Sequence, residues 1–345
     1  MIAIVILNWN GQQMLRQFLP GVIEHSKGEG EVIVADNGSD DDSVETLRKE
    51  FPSVRLLCLD KNYGFAEGYN VVFDTLRQLS EKGEAPCYDY YLLLNSDVEV
   101  TPGWLTPLRR YMDAHSDCAA CQPKIRAFYA RRRFEYAGAA GGFMDRDGYP
   151  FCRGRVFAVA EDDHGQYDEV ADILWATGAA LMVRPGDWHG HGALDGRFFA
   201  HNEEIDFCWR LRARGRRVVC VPQSTVYHMG GGTLPQDNPR KTYLNFRNNL
   251  TMLYKNLPDR RLRSVMFRRM LLDGVAALQF LAKGDVANMR AILRARRDFK
   301  AWKGDFEADR KENLAKTIVQ DIPEIRPISL ILCYYLKGRR HFSEL

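Results

Sequence analysis

The sequence predicts an α/β fold with a mainly parallel central sheet. Short apolar runs alternate with helical stretches through the first half of the chain, a pattern typical of parallel strands covered by helices on both faces. Apolar residues make up 46% of the 345 residues, enough to bury a core without disulfide or metal staples. A charged fraction of 27% and an aromatic fraction of 11% exclude a disordered chain.

Four strand–helix pairs are predicted in order along the chain. Each strand is a short apolar run, and each helix has apolar residues at helical spacing. The predicted strands are Ile2–Leu7, Val32–Ala35, Val54–Leu59 and Tyr91–Leu94. The predicted helices are Gln12–His25, Asp42–Phe51, Phe65–Leu79 and Trp104–His115. Because Met1 leads directly into the first strand, with no basic region and no cleavage site, we expect no signal peptide.

Short acidic or amide side chains and glycines follow each of these four strands. In such sheets the ligand crevice lies beyond the carboxyl ends of the strands, so the four segments are candidates for one binding edge. Each segment by itself is also typical of a turn or a helix cap. A binding site is favoured only because all four segments are predicted at the same edge of the sheet. The segments are Asn8-Trp9-Asn10-Gly11, Asp36-Asn37-Gly38-Ser39, Asp60-Lys61-Asn62-Tyr63-Gly64 and Asn95-Ser96-Asp97.

Asp97 is a candidate ligand for a divalent cation. It follows the most apolar strand, and its carboxylate oxygens suit Mg²⁺ or Mn²⁺. No glycine-rich phosphate loop follows any strand, which argues against a dinucleotide oxidoreductase or an NTP hydrolase. A bound phosphate would then be met by a cation or by basic side chains. The alternative for Asp97 is a cap ahead of Thr101-Pro102-Gly103.

A helix with three carboxylates in its first turns is predicted after Asn202, which we expect to cap it. Glu203 shares a face with Asp206 and Arg210, and complementing the helix dipole explains Glu203 well. Glu204 instead emerges from the apolar face, so a partly desolvated Glu204 is a candidate general base.

His228 follows a predicted strand and precedes three glycines. There it could contact a cation or phosphate, with the glycines forming a mobile flap; the alternative is a structural histidine. The histidine is a stronger candidate if its strand lies beside the one ending at Asp97.

The C-terminal region differs electrostatically from the body. From Lys255 to Leu345 there are 20 basic and 11 acidic residues, a net +9, whereas the first 254 residues have a net charge of −6. Apolar residues lie at helical spacing between the arginine clusters. This pattern fits either a helix on an anionic membrane surface or a helical hairpin packed on the body. Nucleic acid is disfavoured, because no binding motif accompanies the arginines.

These motifs together resemble the inverting, nucleotide-sugar-dependent family 2 glycosyltransferases, and within them the rhamnosyltransferase-like branch that builds bacterial surface polysaccharides. The resemblance covers Met1 to about Leu257. It implies a GT-A-like nucleotide-sugar-binding domain over residues 1–257, with a nucleotide-binding half (1–100) and an acceptor-binding half (101–257). Residues 258–345 would form a basic helical C-terminal extension.

The resemblance implies that the strand-end segments bind a dTDP-, UDP- or GDP-linked sugar. Asp36 stands at the position that contacts the base, and Arg247 stands where it could meet the phosphates or only cap a carbonyl. Asp97 and His228 stand at the positions that hold Mg²⁺ or Mn²⁺. Asn95 replaces the first aspartate of the Asp-x-Asp motif, which weakens the ribose contact. The implied nucleotide-sugar-binding residues are Asn8, Trp9, Asn10, Asp36, Asn37, Ser39, Asn62, Gly64, Asn70, Asn95 and Arg247.

The resemblance also assigns the catalytic and acceptor residues. Glu203-Glu204-Ile205-Asp206 resembles the Glu-Asp-x-Asp motif, whose second residue is the catalytic base; Glu204 replaces that aspartate. The absence of the Gln-x-x-Arg-Trp motif of processive polymerases favours transfer of a single sugar. The implied acceptor-binding residues are Trp175, Thr177, Gly178, Glu203 and Asp206.

The expected location is cytoplasmic, or peripheral at the cytoplasmic face of the inner membrane, where a saccharide on a lipid carrier would be the acceptor. Eight scattered cysteines favour reduced thiols, which fits that compartment. Two rival functions remain. A nucleotidyltransferase should carry a glycine-rich loop with a basic residue after the first strand, where Asn10-Gly11-Gln12-Gln13 stands. A catalytically inactive, sugar-nucleotide-binding relative is compatible with a glutamate at position 204.

Overall fold

The computed structural model describes residues 1–230 and 238–345, and within these ranges the chain forms fourteen strands and ten α-helices. The strands are β1 (Ile2–Asn8), β2 (Gly30–Asp36), β3 (Arg55–Cys58), β4 (Tyr90–Leu94), β5 (Val98–Val100), β6 (Cys118–Ala127), β7 (Gly142–Asp145), β8 (Pro150–Cys152), β9 (Arg155–Val156), β10 (Val159–Ala160), β11 (Ala171–Asp172), β12 (Ala180–Val183), β13 (Arg217–His228) and β14 (Ile325–Arg326). The helices are α1 (Gln12–His25), α2 (Ser43–Glu50), α3 (Gly64–Glu81), α4 (Leu105–Ala114), α5 (Pro185–Gly190), α6 (Glu203–Ala213), α7 (Pro239–Asn256), α8 (Asp259–Ala282), α9 (Val286–Trp302) and α10 (Glu307–Ala315).

The larger sheet has the order β11-β13-β6-β12-β4-β1-β2-β3, with β5 paired to β13. The β3-β2-β1-β4 half is parallel, as the alternation of strands and helices predicts. The other half is mixed, because β12 pairs antiparallel with both β4 and β6. The prediction of a parallel sheet is therefore confirmed for the first half. The sequence did not predict that β12 would be inserted antiparallel to its neighbours.

Successive residues of β1 enter two different cores. Ala3 and Val5 pack on one face of the sheet, whereas Ile2, Ile4 and Ile6 pack on the other. Side chains of a strand alternate between the two faces of the sheet, and both faces are covered here. This explains why the sequence of β1 is a continuous apolar run.

A second, smaller sheet has the order β10-β9-β8-β7-β14. Its last strand comes from the C-terminal region, since Ile325 and Arg326 pair in parallel with Met144 and Asp145. Beyond it, Phe342 packs against Phe143, with ring centroids 4.9 Å apart. The C-terminal region therefore has contacts with the body at both its helical and its final segments.

All eight cysteines are free thiols, and six of them are buried. This agrees with the expectation of reduced cysteines packed among apolar residues.

Gly142 lets β7 pass directly beneath an indole ring. A Cβ atom at this position would lie 2.1 Å from the ring of Trp175, whose Nε1 donates to the Phe143 carbonyl at 3.0 Å. Backbone hydrogen bonds join Gly142 to Trp175 in both directions. Neither residue can therefore move away from the other without breaking these bonds.

We therefore predict that Gly142→Ala lowers the free energy of unfolding by about 1–3 kcal/mol through overpacking. Gly21→Ala in α1 is the matched control, since a Cβ there has no atom within 4 Å, and it should be neutral or stabilising by up to about 1 kcal/mol. Urea unfolding of both variants tests this; an equal stability of the two would contradict it.

Candidate active site

The ends of β1 and β2 are tied together by side-chain hydrogen bonds. The strand register sets Asn8 opposite Asp36, and Asn8 Nδ2 donates to Asp36 Oδ1 at 3.1 Å. Ser39 accepts from the backbone N–H of Asn10 at 2.9 Å. Asn8 Oδ1 is buried without a partner, and Trp9 is 47% exposed beside it. The strand ends thus meet at one edge, as the sequence predicts. Their contacts with a nucleotide stay predictions.

Two predicted ligand residues instead hold the loops. The amide of Asn37 donates to Asn62 Oδ1 and the Gly64 carbonyl and accepts from Tyr63 N–H. The amide of Asn70 donates to the Leu194 carbonyl at 2.8 Å and accepts from the Leu194 N–H. Both amides therefore help to position the loops, and the nucleotide-sugar contacts expected of them stay predictions.

Asp97 and His228 lie side by side, which is the arrangement that a shared cation requires. His228 pairs with Val98 in the β13–β5 ladder, so its Nε2 lies 3.1 Å from Asp97 Oδ1 and 3.4 Å from Asn95 Nδ2. Both residues are buried. The structure therefore brings together the two predicted metal ligands and Asn95.

Glu135 completes this group from the other side of the imidazole. Its Oε2 lies 3.3 Å from His228 Nδ1, and it accepts from the backbone N–H of Ala137. A carboxylate on the second ring nitrogen is the usual way to orient a metal-binding histidine. Sequence reasoning missed Glu135, because no motif marks it.

In this group the His228 imidazole lies between two carboxylates, which favour its protonated form. Burial alone would lower the pKa of His228, but the hydrogen bond to Asp97 and the nearby carboxylate of Glu135 raise it to about 10. Burial alone would raise the pKa of Asp97, yet the hydrogen bond from His228 holds it below its ordinary value. A divalent cation would compete for the same position as this proton.

The donor set fits a divalent cation that also takes ligands from a substrate. Among the residues described here, no group of three or more histidine, cysteine, aspartate or glutamate side chains could hold a metal ion. One carboxylate and one imidazole leave several coordination positions for diphosphate oxygens or water, as Mg²⁺ and Mn²⁺ commonly use. Metal binding itself stays a prediction.

The segment before α6 has a strained backbone. Phe199, His201 and Asn202 have φ values of 66°, 73° and 69°, in the left-handed region that favours glycine. Such strain persists only where neighbouring groups fix it. Asn248 Nδ2 supplies that restraint by donating to the carbonyls of Phe198, Ala200 and His201 at 2.8–3.0 Å.

The same segment joins the start of α3. The Phe199 carbonyl accepts from the N–H of Phe65 at 2.8 Å and from that of Ala66 at 3.3 Å. Gly64 must be glycine here, because its φ is +77° and a Cβ would lie 2.5 Å from the Phe199 ring. The loop after β3 is therefore fixed against the beginning of α6.

Asn202 stands at the N-cap of α6, but it does not cap the helix with its side chain. Its left-handed backbone points Oδ1 elsewhere, to Asn249 Nδ2 at 3.4 Å. The expectation of a side-chain cap was wrong for this reason.

Glu203 and Glu204 are both desolvated carboxyl groups. The Oε2 atom of each is buried without a hydrogen-bond partner. Burial raises the pKa of Glu204 to about 7. Burial and the neighbouring Glu204 raise that of Glu203 well above its ordinary value. The sequence analysis explained Glu203 as a partner of the helix dipole, and the structure shows in addition that this residue is only 4% exposed. The desolvated Glu204 agrees with the environment predicted for it.

Asp206 belongs to a buried ion cluster rather than to an open surface. It is fully buried and accepts from Arg210 Nε, Lys255 Nζ and Asn256 Nδ2 at 3.1, 2.9 and 2.7 Å. Lys255 also bonds Asp195 at 2.7 Å. Its carboxylate is enclosed in this way, and the acceptor contact that the resemblance implies for Asp206 stays a prediction.

The other predicted acceptor residues lie in a tight, buried turn. The Thr177 N–H donates to Gln122 Oε1 at 2.9 Å, and a Cβ on Gly178 would lie 2.7 Å from the Phe65 ring. The Trp175 indole packs on Gly142 and donates to the Phe143 carbonyl, and the acceptor contact implied for its ring stays a prediction. The Ala179 carbonyl accepts from the Asn95 N–H at 3.0 Å, so this turn reaches the strand end next to Asp97.

Arg247 caps backbone carbonyls, one of the two roles that the sequence left open. Its Nη2 lies 3.1 Å from the Phe198 carbonyl, and its guanidinium carbon lies 4.3 Å from the Trp302 ring centroid. Arg247 therefore supports the strained segment together with Asn248. The glycine flap expected after His228 falls largely on residues 231–237, which lie outside the described residues.

Residues 3–158 match the family model described as glycosyl transferase family 2. The chain carries a family 2 glycosyltransferase domain. The match includes β1 to β4, Asp97 and Glu135, and it ends before α6 and His228.

The chain is also similar to two known proteins. It is 26% identical over 232 residues to an N-acetylglucosaminyl-diphospho-decaprenol L-rhamnosyltransferase of Mycobacterium tuberculosis, covering 66% of this chain and 75% of that protein. It is 28% identical over 143 residues to the O-antigen biosynthesis protein RfbC of Myxococcus xanthus, covering 40% of this chain but 10% of that protein.

Solved structures show that the chain has the GT-A fold. A structure of GalNAc-T7 with UDP, GalNAc and Mn²⁺ has a TM-score of 0.59 at 14% identity, covering 89% of this chain and 56% of that one. A structure of residues 1–349 of Staphylococcus aureus TarS with UDP-GlcNAc has a TM-score of 0.54 at 14% identity, covering 98% and 92%. At these identities the likeness shows the fold alone.

Lys255 gives a direct test of the buried cluster beneath α6. Burial by itself would raise the pKa of Asp195, but hydrogen bonds from Arg197 and Lys255 lower that pKa to about 2. We predict that Lys255→Met, which leaves Asp195 and Asp206 without their shared cation, lowers the free energy of unfolding by about 3–5 kcal/mol.

Lys311→Met is the matched control for this variant. Lys311 forms an exposed ion pair with Glu307 in α10, so its loss should cost less than about 1 kcal/mol. Denaturant unfolding of both variants measures the difference; a loss below about 1 kcal/mol for Lys255→Met would show that the cluster is not the restraint described.

Proposed function

We propose that the protein transfers a single sugar from a nucleotide-sugar donor to a saccharide acceptor, with inversion and with a divalent cation. The observation that carries this proposal is Glu204, a desolvated carboxyl group whose Oε2 has no hydrogen-bond partner, at the start of α6 after a strained segment that Asn248 restrains. The Asp97–His228 pair supports the cation, and the family 2 domain supports the reaction class.

Glu204 would act as the general base. Its carboxylate takes the proton of an acceptor hydroxyl, the oxygen forms a bond to C1 of the donor sugar, and the bond from C1 to the diphosphate oxygen breaks. The electron pair leaves with the nucleoside diphosphate, and attack from the opposite face inverts C1. Desolvation favours this role, because a base with a pKa near the working pH removes protons efficiently.

Asp97 and His228 would hold Mg²⁺ or Mn²⁺, and Glu135 would orient the imidazole. When bound, the cation supplies positive charge that stabilises the leaving diphosphate. Neighbouring strand ends supply the other donor contacts, where the exposed ring of Trp9 is available to a nucleotide base. The donor nucleotide is dTDP, UDP or GDP.

A lipid-linked saccharide is the acceptor class that the relatives support best. The Mycobacterium tuberculosis relative is named for L-rhamnosyl transfer to an N-acetylglucosaminyl-diphospho-decaprenol, and the Myxococcus xanthus relative for O-antigen biosynthesis. Of the helices described, none is both long and apolar enough to cross a bilayer. We therefore propose that the enzyme acts peripherally at the cytoplasmic face of a membrane, in cell-surface polysaccharide synthesis.

The rival functions differ in a simple measurement. An inactive nucleotide-sugar-binding relative would be stabilised by the donor against heat but would not release nucleoside diphosphate from it in the presence of Mn²⁺. A nucleotidyltransferase would release pyrophosphate from a nucleoside triphosphate. No specific observation favours either function over sugar transfer.

The cation site is tested by Asp97→Ala. We expect Mn²⁺ to tighten nucleoside diphosphate binding to the wild-type protein by about 10-fold or more and to have no such effect on the folded variant, because one of the two protein ligands is gone. Calorimetric titration with and without Mn²⁺ measures this. Unchanged tightening in a variant of native circular dichroism would remove Asp97 from the site.

The base is tested by a pair of isosteric variants. Glu204→Gln should lower the rate of transfer by ~10²–10⁴-fold with donor affinity little changed, because it removes the proton acceptor. Glu203→Gln resembles the protonated form that burial favours, so it should keep most of the activity. Glu204→Asp, which restores the residue usual at this position, should keep substantial activity. Loss of transfer in Glu203→Gln with activity spared in Glu204→Gln would shift the assignment by one residue.

A further inference from the structure

Helix α8 has an inverted distribution of polar and apolar residues. Its inward face carries Arg269 and Asp273, both buried, whose side chains lie 3.2 Å apart. Asp273 also pairs with Arg296 of α9 at 2.5 Å. Two of the four buried residues of α8 are therefore charged, whereas an ordinary amphipathic helix turns mainly apolar residues inward.

The outward face of α8 is a continuous apolar stripe. Its large side chains recur at intervals of three or four residues over roughly 21 Å of helix, so they lie along one side. Each is 46–65% exposed, and a contiguous exposed apolar patch of this kind marks an interaction surface. The stripe consists of Phe267, Met270, Leu271, Val275, Leu278 and Leu281.

The neighbouring helix α9 exposes basic residues. Arg290, Arg294, Arg297 and Lys300 lie along its exposed face. Over residues 259–305, which include the whole α8–α9 hairpin, eight basic residues are exposed against two acidic ones. An apolar stripe and a basic face therefore lie beside each other on one hairpin.

We propose that the α8–α9 hairpin docks on an anionic lipid surface, with the α8 stripe at the acyl boundary and the α9 basic face against the headgroups. Apolar burial combined with attraction to anionic lipids is the physical basis of interfacial helices. A second copy of the chain fits less well, because it would bring a further set of like charges to the same hairpin. Nucleic acid would meet the arginines but leave the apolar stripe uncovered.

The hairpin is joined to the start of α6 by a chain of side-chain hydrogen bonds. Arg269 donates to Asn249 Oδ1, and Asn249 donates in turn to Asn202 Oδ1 at the start of α6. Docking would therefore fix the orientation of Glu204 relative to the lipid surface. The advantage for catalysis rests on the proposed lipid-linked acceptor, whereas the docking itself does not.

Vesicle cosedimentation without donor or acceptor tests the docking. The full chain should bind vesicles of phosphatidylcholine with 30% phosphatidylglycerol at least about 10-fold more tightly than pure phosphatidylcholine, and salt should weaken the binding. Leu271→Gln with Leu278→Gln should weaken binding about 10-fold or more. The triple change Arg290→Gln, Arg294→Gln and Arg297→Gln should do the same. All five side chains are exposed, so the fold should survive.

The matched controls are Ile318→Gln and Lys49→Gln, at exposed positions elsewhere, and they should bind like the wild type. Three outcomes would overturn the proposal: equal binding to neutral and anionic vesicles, anionic binding untouched by the leucine changes, or a wild-type dimer in sedimentation velocity that those changes abolish. Transfer to a water-soluble acceptor should be unchanged in the leucine variant, which separates failure of docking from failure of the proposed reaction.

Discussion

The side-chain amide of Asn248 restrains the part of the molecule on which the candidate site depends. Three carbonyls, from Phe198 to His201, converge on its Nδ2 and hold a run of residues in left-handed conformations. An unclamped segment of this kind would relax, because each such residue costs about 1–3 kcal/mol. The restraint sets where α6 begins, and hence where Glu204 stands.

Two different uses of buried charge lie within one helix. At the start of α6, Glu203 and Glu204 are desolvated with an oxygen each left unpartnered, which raises their pKa values. One turn later, Asp206 is equally buried but satisfied by Lys255, Arg210 and Asn256. The carboxylate of Asp206 has all its partners within the protein and anchors the helix. The unpartnered oxygens of Glu203 and Glu204 remain able to bond to a ligand. Burial alone therefore does not distinguish a structural carboxylate from a functional one. The number of hydrogen-bond and ion-pair partners does.

The sequence predicted those features that are local in the chain. Alternating apolar runs and helices predict β1 to β4 and the meeting of their polar ends, because both follow from periodicity and from the geometry of parallel sheets. The start of α6 and the desolvated face of Glu204 follow from spacing along one helix. Asp97 and His228 were predicted as a pair only through the family resemblance, and the structure places them 3.1 Å apart.

The features that the sequence did not predict depend on residues far apart in the chain. Lys255 meets Asp206 across 49 positions, Glu135 meets His228 across 93, and β14 joins β7 from the C-terminal region. A lysine at the end of a helix or a glutamate in a short loop carries no local signal of such a partner. For the same reason, the hydrogen bonds of Asn37 and Asn70 to neighbouring loops were not predicted.

The pH dependence of the maximal rate tests the central claim that desolvation makes Glu204 the base. Measurement at saturating donor, acceptor and Mn²⁺ keeps their binding from shaping the curve, and the rate should rise with pH because the base must be deprotonated. The account predicts an ascending limb with an apparent pKa near 7, the value to which burial raises Glu204. A rate that is already maximal at pH 5, as for a carboxylate in water, would contradict it.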